Sequence, residues 1–272
     1  PEQITNLVKK VRIKEVEFNV VESPRFFEKL LQGKPAEEAP RMSERICGIC
    51  YVDHLLASVK AVEDAWNVEI PETALLLRKL IHHADIITSH TLHLAFLCLP
   101  DLLDIKERNF VGLAEVRPDL VKLALNLHEY GNSVVEEIGG RIIHTVTAIP
   151  GGMSKPLTEE KRSKLSIKAS EAVKNVKEFA EKTLRFFEEK ADLLSYPLKG
   201  TYYAGLTRDG QHELYDGYVK VIDSNGNSVY RFKSSEYLDY IAERVSEHSF
   251  VKLPYLRKIG FPEGSYLSLI HI

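Results

Sequence analysis

Between Pro71 and Pro100 the sequence holds no glycine and no proline, and its apolar residues recur at helical spacing. At 1.5 Å per residue a helix through Leu99 approaches roughly 40 Å. Its core face is expected at Leu76, Leu80, Ile87 and Leu94, with Pro100-Asp101 as the stop. Other helical runs accompany it. Leu55, Leu56, Val59, Val62 and Trp66 follow Asp53, the expected N-cap. Residues 118–138 enter through Pro118 and end at Gly139-Gly140. Thr158 caps a third run, with Glu159 and Glu160 in its first turn and a stripe of Leu165, Ala169, Ala172, Val173, Val176, Phe179, Leu184 and Phe187. The expected fold is mainly α: a helical bundle with small antiparallel β elements near the N-terminus and around residues 201–232.

Two of the three cysteines lie together in Arg41-Met-Ser-Glu-Arg-Ile-Cys-Gly-Ile-Cys-Tyr-Val-Asp-His54. Cys50 is expected just before a helix N-terminus, where amides and the helix dipole favour a thiolate. Gly48 keeps the turn sterically open. Several readings of the pair stand side by side. A redox couple needs a strand–helix–strand setting that the flanks do not show. A zinc site needs a second ligand pair, and Cys98 lies on a different element, where it reads as core. Two buried thiols beside a helix start are the bland reading. The preferred one is a transition-metal site completed by residues that this chain does not show. His82, His83, His90 and His93, on the 71–99 run, read as packed or hydrogen-bonded rather than as ligands.

The chain has 272 residues, 44% hydrophobic and 28% charged, with a formal net charge of −3. That is enough for one large domain or two small ones, and the charge speaks against a nucleic-acid binder. Three cysteines do not make a secreted disulfide scaffold, and residues 1–10 carry no signal-peptide core. The most apolar run, residues 86–100, is short of the roughly 20 residues a membrane span requires. A soluble protein of the cytoplasm is expected.

The domain plan is one domain over residues 1–272. A strand at 11–21 comes first, then the metal-motif segment at 25–54, a helical core at 54–190, a β-hairpin region at 201–232, and a helix with a tail at 233–272. Arg25 and Glu28 are three apart and can face the same way on a short helix. Pro150-Gly-Gly152 marks either close backbone approach or a tight turn. Asn225-Gly226 between two strand-like runs predicts a type I′ hairpin. Residues 234–247 read as helix, and 260–272 show no closing element.

Across residues 16–264 the chain resembles the large subunit of nickel-iron hydrogenases, most like the cytoplasmic sulfhydrogenase and cofactor-linked branch. The resemblance rests on Arg25-Phe-Phe-Glu28, on Arg45-Ile-Cys-Gly-Ile-Cys-x-x-x-His54, and on Ser89-His-Thr-Leu-His93 with Asp101. Gly139-Gly-Arg-x-x-His144 and Pro150-Gly-Gly152 follow in the same order. Most of the family has glycine where Phe26 stands.

The resemblance implies a terminal nickel thiolate at Cys47 and a thiolate bridging nickel and iron at Cys50. It implies that His54 packs beside that sulfur, and that Glu28 is a carboxylate ligand to magnesium. Arg25 and Arg45 are expected to orient the segment against a partner subunit. Iron would carry carbonyl and cyanide that the protein does not supply. H2 would be the substrate, and electrons would leave through a small iron–sulfur subunit, then through further electron-transfer subunits. The family closes its centre with a second Cys-x-x-Cys, which does not follow Cys98 here. Glu263-Gly-Ser-Tyr matches, but residues 267–272 do not continue the pattern. A fragment that alone does not hold the full centre is therefore expected. The alternatives are a metal-free subunit of a quinone-reducing respiratory complex and a zinc-stabilised structural protein.

Overall fold

The computed structural model describes residues 21, 25–190, 201–247, 249–260 and 267–269. The expected strand at 11–21 lies outside these residues apart from Val21. Where the sequence suggests one domain, the contacts group into two compact units: residues 26–196, and residues 1–25 with 197–272. The mainly α composition with small β elements is as expected.

The first unit is helical. Helix α1 spans Phe27–Leu31, and α2, Ala39–Ser43, follows a 3-10 turn. Helices α3 (Tyr51–Trp66) and α4 (Glu72–Thr91) come next. Asn67, in the left-handed region at φ 53°, ends α3, and the Val68 N–H closes it on the Glu63 carbonyl at 2.9 Å. A π-helical stretch, Leu92–Cys98, leads into α5 (Leu99–Leu102), so the run is not one α-helix to Leu99. The widening falls just before Pro100, which has no N–H to continue the α ladder. It also turns two residues five apart to one side: Cys98 Sγ lies 3.6 Å from the His93 ring nitrogens. Cys98 is half-exposed there, not core.

The buried face of α4 is Ala74, Leu77, Arg78, Ile81, His82, Ala84 and Asp85. Leu76 and Leu80, expected inside, are 54% and 47% exposed. This helix is apolar on two sides, so period alone did not set its phase. Helices α6 (Phe110–Val116) and α7 (Pro118–Gly139) follow. Helix α7 crosses α4 closely at Gly131, where a Cβ would stand 2.2 Å from Thr88 Oγ1 and 2.8 Å from the Ala84 carbonyl. Gly140, at φ 86°, stops α7 as expected. After a short antiparallel pair, β1 (Ala148–Ile149) and β2 (Gly152–Met153), helix α8 runs Glu159–Glu189 under its Thr158 cap. Leu99, Leu113, Leu120, Ala124, Leu127 and Phe179 make the centre of this core. Of the expected α8 stripe, Ala172 and Phe179 are buried, while Val173, Val176 and Leu184 face outward.

The second unit is β. Strand β3 (Tyr202–Arg208) pairs antiparallel with β4 (Gln211–His212) and β5 (Tyr218–Ile222), and β5 pairs with β6 (Ser228–Lys233). The hairpin predicted at Asn225-Gly226 is present with another turn. Of the two residues only Gly226 has positive φ, and Asp223 gathers the amides of Asn225 and Asn227 on Oδ1. Positive φ at both turn positions occurs instead at Asp209-Gly210, between β3 and β4. The expected helix at 234–247 is one turn, α9 (Tyr237–Tyr240), after a 3-10 turn. Strands β7 (Ile241–Ser246) and β8 (Ser249–Leu256) pair after it, because cross-strand partners override a short helical pattern. The tail does close: β9 (Leu267–Leu269) lies parallel beside β3, with Leu267 in the core of Ala204, Val221, Phe232 and Leu256.

Candidate metal centre

Cys47-Gly-Ile-Cys50 is the turn that delivers the chain into α3. Ser43 Oγ donates to the carbonyls of Pro40, at 3.2 Å, and His54, at 3.3 Å, tying the approach to the first turn of the helix. The helix cap is Cys50, three residues before the expected Asp53. Asp53 faces His82 of α4 instead, Oδ1 lying 2.7 Å from Nε2.

The helix-opening amides do not serve the sulfur expected. Cys47 Sγ accepts from the N–H of Ile49 and of Cys50, each at 3.3 Å. The Cys50 thiol is pushed up to about 12 by burial, with the Cys47 thiol and the Asp53 carboxylate adding to it. In this setting burial and neighbouring negative charge outweigh the pull of the helix terminus. A Cβ at Gly48 would meet nothing within 4 Å, so space beside the sulfurs is open.

Behind the turn the polar groups are buried. Asp85 is 2% exposed, and burial followed by the Asp53 charge pushes its carboxyl to about 8. Tyr51, buried next to Cys50, is held above the usual phenol range by burial and by Asp85. Its hydroxyl donates to the Ile142 carbonyl, and its ring meets His144 edge-on at 5.6 Å. Asp53 Oδ1, although close to His82, is out of line for a hydrogen bond and has no donor. Glu44 is also buried, its carboxyl raised by burial and drawn back by Arg41, Arg45 and Arg141.

Two thiols and two carboxyls thus sit where their charged forms repel one another, a setting that a bound cation relieves. Adjacent soft sulfurs suit nickel and iron. Among the described residues, no three of Cys, His, Asp and Glu converge as a metal cluster. The donor set on this chain therefore fits a nickel-iron group in part: Cys47 and Cys50 supply two sulfurs.

The remaining predicted residues are spread out. His54 is half-buried one turn into α3, and burial lowers its ring pKa. Arg45 is exposed, with Nε 3.7 Å from Glu44 Oε1. Glu28 is exposed in the first turn of α1. Phe26 before it stands in the left-handed region at φ 55°, a conformation that glycine adopts at least cost. Arg25 belongs to the β unit.

Sequence reasoning missed Tyr51, Asp85, Arg41, Glu63 and Arg78. Arg78, fully buried, meets Glu63 through two bonds of 2.9 and 2.6 Å, and its Nη2 donates to the Ile149 and Gly152 carbonyls, each at 2.9 Å. Glu63 Oε1 accepts the Gly151 N–H at 2.8 Å. The Pro150-Gly-Gly152 turn, with Gly151 at φ 90°, is thus a tight turn clamped from inside. Partners so far apart in sequence leave no local signal, although charges on the apolar side of two helical runs were a clue.

The family model for nickel-dependent hydrogenases matches residues 25–111, which include the cysteine turn, α3 and α4. The chain is 44% identical over 248 residues to a vhu subunit of the F420-non-reducing hydrogenase of Methanocaldococcus jannaschii, covering 89% of this chain and 59% of that protein. It is 32% identical over 274 residues to the beta subunit of the NAD-reducing hydrogenase HoxS of Cupriavidus necator, covering 93% and 56%. A solved NAD+-reducing NiFe-hydrogenase in the H2-reduced state superposes with a TM-score of 0.85 at 33% identity, over 90% of this chain and 56% of that one. The chain therefore spans 59% and 56% of the length of these two curated relatives. A helical unit built around a Cys-x-x-Cys helix cap, matched by family model, sequence and structure, places this chain in the nickel-dependent hydrogenase family.

Proposed function

We propose that the chain is part of the large subunit of a nickel-iron hydrogenase, catalysing heterolytic H2 oxidation and its reverse. The observation that carries this reading is the cysteine turn at the head of α3, inside the family-matched segment. Cys47 and Cys50 would hold the nickel-iron group, Cys47 as a thiolate to one metal and Cys50 as a thiolate shared by both. His54 packs beside the bridging sulfur, and Glu28 is the hard oxygen donor for magnesium. Arg25 and Arg45 orient the segment against the partner.

When bound, the centre, with carbonyl and cyanide on its iron, supplies the soft, electron-rich acceptor that splitting H2 requires. The chain's own residues hold and shield it. Two amides fix the Cys47 sulfur, leaving that thiolate in place to take up the proton. Tyr51, Val52 and Leu55, all buried, form a floor on α3. Electrons pass to a small iron–sulfur subunit, then on to further electron-transfer subunits, because one cysteine beyond the pair cannot ligate a cluster. No described helix is long and apolar enough to cross a membrane, and the reading places the enzyme in the cytoplasm.

The test is metal analysis of the intact enzyme purified with its partners. Stoichiometric nickel and H2-dependent dye reduction are expected in the wild type, and C47S and C50S each lose both. Wild-type enzyme free of nickel, or holding zinc in its place, overturns the reading.

A further inference from the structure

The segment that carries the cysteines is fastened to one loop by several contacts. The loop is residues 140–147. It has no core anchor of its own at Ile142 and Ile143, which are both exposed. It leaves α7 through Gly140 in the left-handed region, and its His144 also has a left-handed backbone, φ 56°. A non-glycine residue there is strained and persists because its surroundings hold it.

Those surroundings are the cysteine segment. Arg41 donates to the carbonyls of Thr145 and Val146. The His144 ring meets the Tyr51 ring edge-on. The Tyr51 hydroxyl donates to the Ile142 carbonyl. Arg41 lies on the approach to the turn and Tyr51 is the first residue after Cys50, so the contacts bracket the two sulfurs.

Tyr51 is the residue whose chemistry stands out. It is 4% exposed and opens a helix whose other inward residues are mostly aliphatic: Val52, Leu55, Leu56 and Val59. A phenylalanine would fill the same space. The hydroxyl has to be satisfied in a buried place; with the Asp85 carboxyl also facing it, it donates to a carbonyl of the loop. The residue joined covalently to Cys50 is therefore also the one that ties the helix start to the loop.

We propose that Tyr51 is a positioning residue of the centre: its hydroxyl bond to Ile142 and its ring against His144 fix the Cys50 end of the turn, and with it the spacing of the two sulfurs. This rests on the hydrogenase reading. The bond is worth what an ordinary hydrogen bond is worth, but misplacing a ligand costs rate far more than it costs folding.

The experiment uses Y51F in the intact, metal-loaded enzyme with its partners. Nickel content is expected to equal that of the wild type. The nickel paramagnetic-resonance signature is expected to shift, and kcat to fall roughly ten-fold while KM holds, as when an interaction on the reacting geometry is lost. The Val146 amide, which donates to Gly139 beside the loop, is expected to exchange about five-fold faster, the factor for one hydrogen bond of ordinary net strength.

A Y51F enzyme with unchanged nickel signature and kcat overturns the proposal, even if its melting temperature drops. Should Y51F fail to accumulate, R41K, which weakens the fastening on the other flank and keeps the charge, carries the same expectation, and an unmoved nickel signature in it is equally fatal. Wild-type enzyme without nickel sinks the hydrogenase reading instead; the fastening is then judged by hydrogen exchange alone, and unchanged Val146 exchange in Y51F overturns it.

Discussion

Helix α3 carries an acid near each end, and each faces a base of α4: Glu63 meets Arg78, and Asp53 faces His82. At one end Glu63 and Arg78 meet through two bonds, and backbone groups of the 149–152 turn add three more. At the other end Asp53 lies near His82 without an aligned bond, Asp85 is forced toward its neutral form, and two thiols stand in front. The first end is a densely bonded polar network of the kind that specifies a fold. The second is short of positive charge. Side by side, they separate a site built for structure from one built to receive something.

The largest expected effect breaks the densely bonded end. R78A leaves the Glu63 carboxylate buried without its partner and should destabilise the helical unit by about 3–5 kcal/mol in urea unfolding. A loss below about 1 kcal/mol would mean that water reaches Glu63 and that the two ends do not differ in kind.

The next effect has the opposite sign. Folded Asp85 titrates near 8, whereas an unfolded aspartate titrates near ~3.9. Between those values the unfolded chain releases a proton that the folded chain keeps. The contribution of Asp85 to the stability of the metal-free chain is therefore fully present below ~pH 4 and is lost as pH rises toward the folded value. D85N removes this dependence. It should stabilise the metal-free chain by about 1–3 kcal/mol at pH 8 and by less at pH 5. A D85N chain that is less stable than wild type at both pH values would show that Asp85 is as well partnered as Glu63.

The smallest effect belongs to an exposed ion pair with the same two-pronged geometry. Arg117 donates to Asp119 at 3.0 and 2.9 Å, and Lys182 adds a third bond at 3.0 Å. The Arg117 hydrogen bonds, helped by Lys182, hold the Asp119 carboxyl well below the usual range against the opposing effect of burial. Its contribution is present above ~pH 4 and is lost as pH falls below that, toward the depressed folded value. Because the pair is open to solvent, D119N should cost about 0.5–1 kcal/mol at pH 7 in low salt, with the difference fading in acid and in high salt. If D119N matches R78A in size, burial is not what distinguishes the ends of the α3–α4 pair.

The sequence disclosed much of this where the signal is local. Pro118, Gly139-Gly140 and Thr158 mark helix ends through their own backbone chemistry, and the structure has them there. The cysteine turn was legible because spacing and side-chain chemistry sit in four consecutive residues. What was lost depends on partners. The phase of α4 turned on which of two apolar sides α7 covers, and Gly131 decides that by close approach. The β7–β8 pair hid behind a helical pattern because its stabilisation comes from across the hairpin. Asp85 looked like any polar residue on a helix, since burial, then the charges of Asp53 and Cys47 from other parts of the chain, make it an unusual acid.

The Pro150-Gly151 turn has a practical consequence. From outside it is a two-residue surface connection, the sort of place where inserted residues are usually absorbed. Its flanking carbonyls, Ile149 and Gly152, are acceptors for a guanidinium 71 and 74 residues earlier in the chain. Lengthening the connection by even one residue would draw an acceptor away and strand a cation in the interior, so affinity tags and reporter insertions belong elsewhere on this protein.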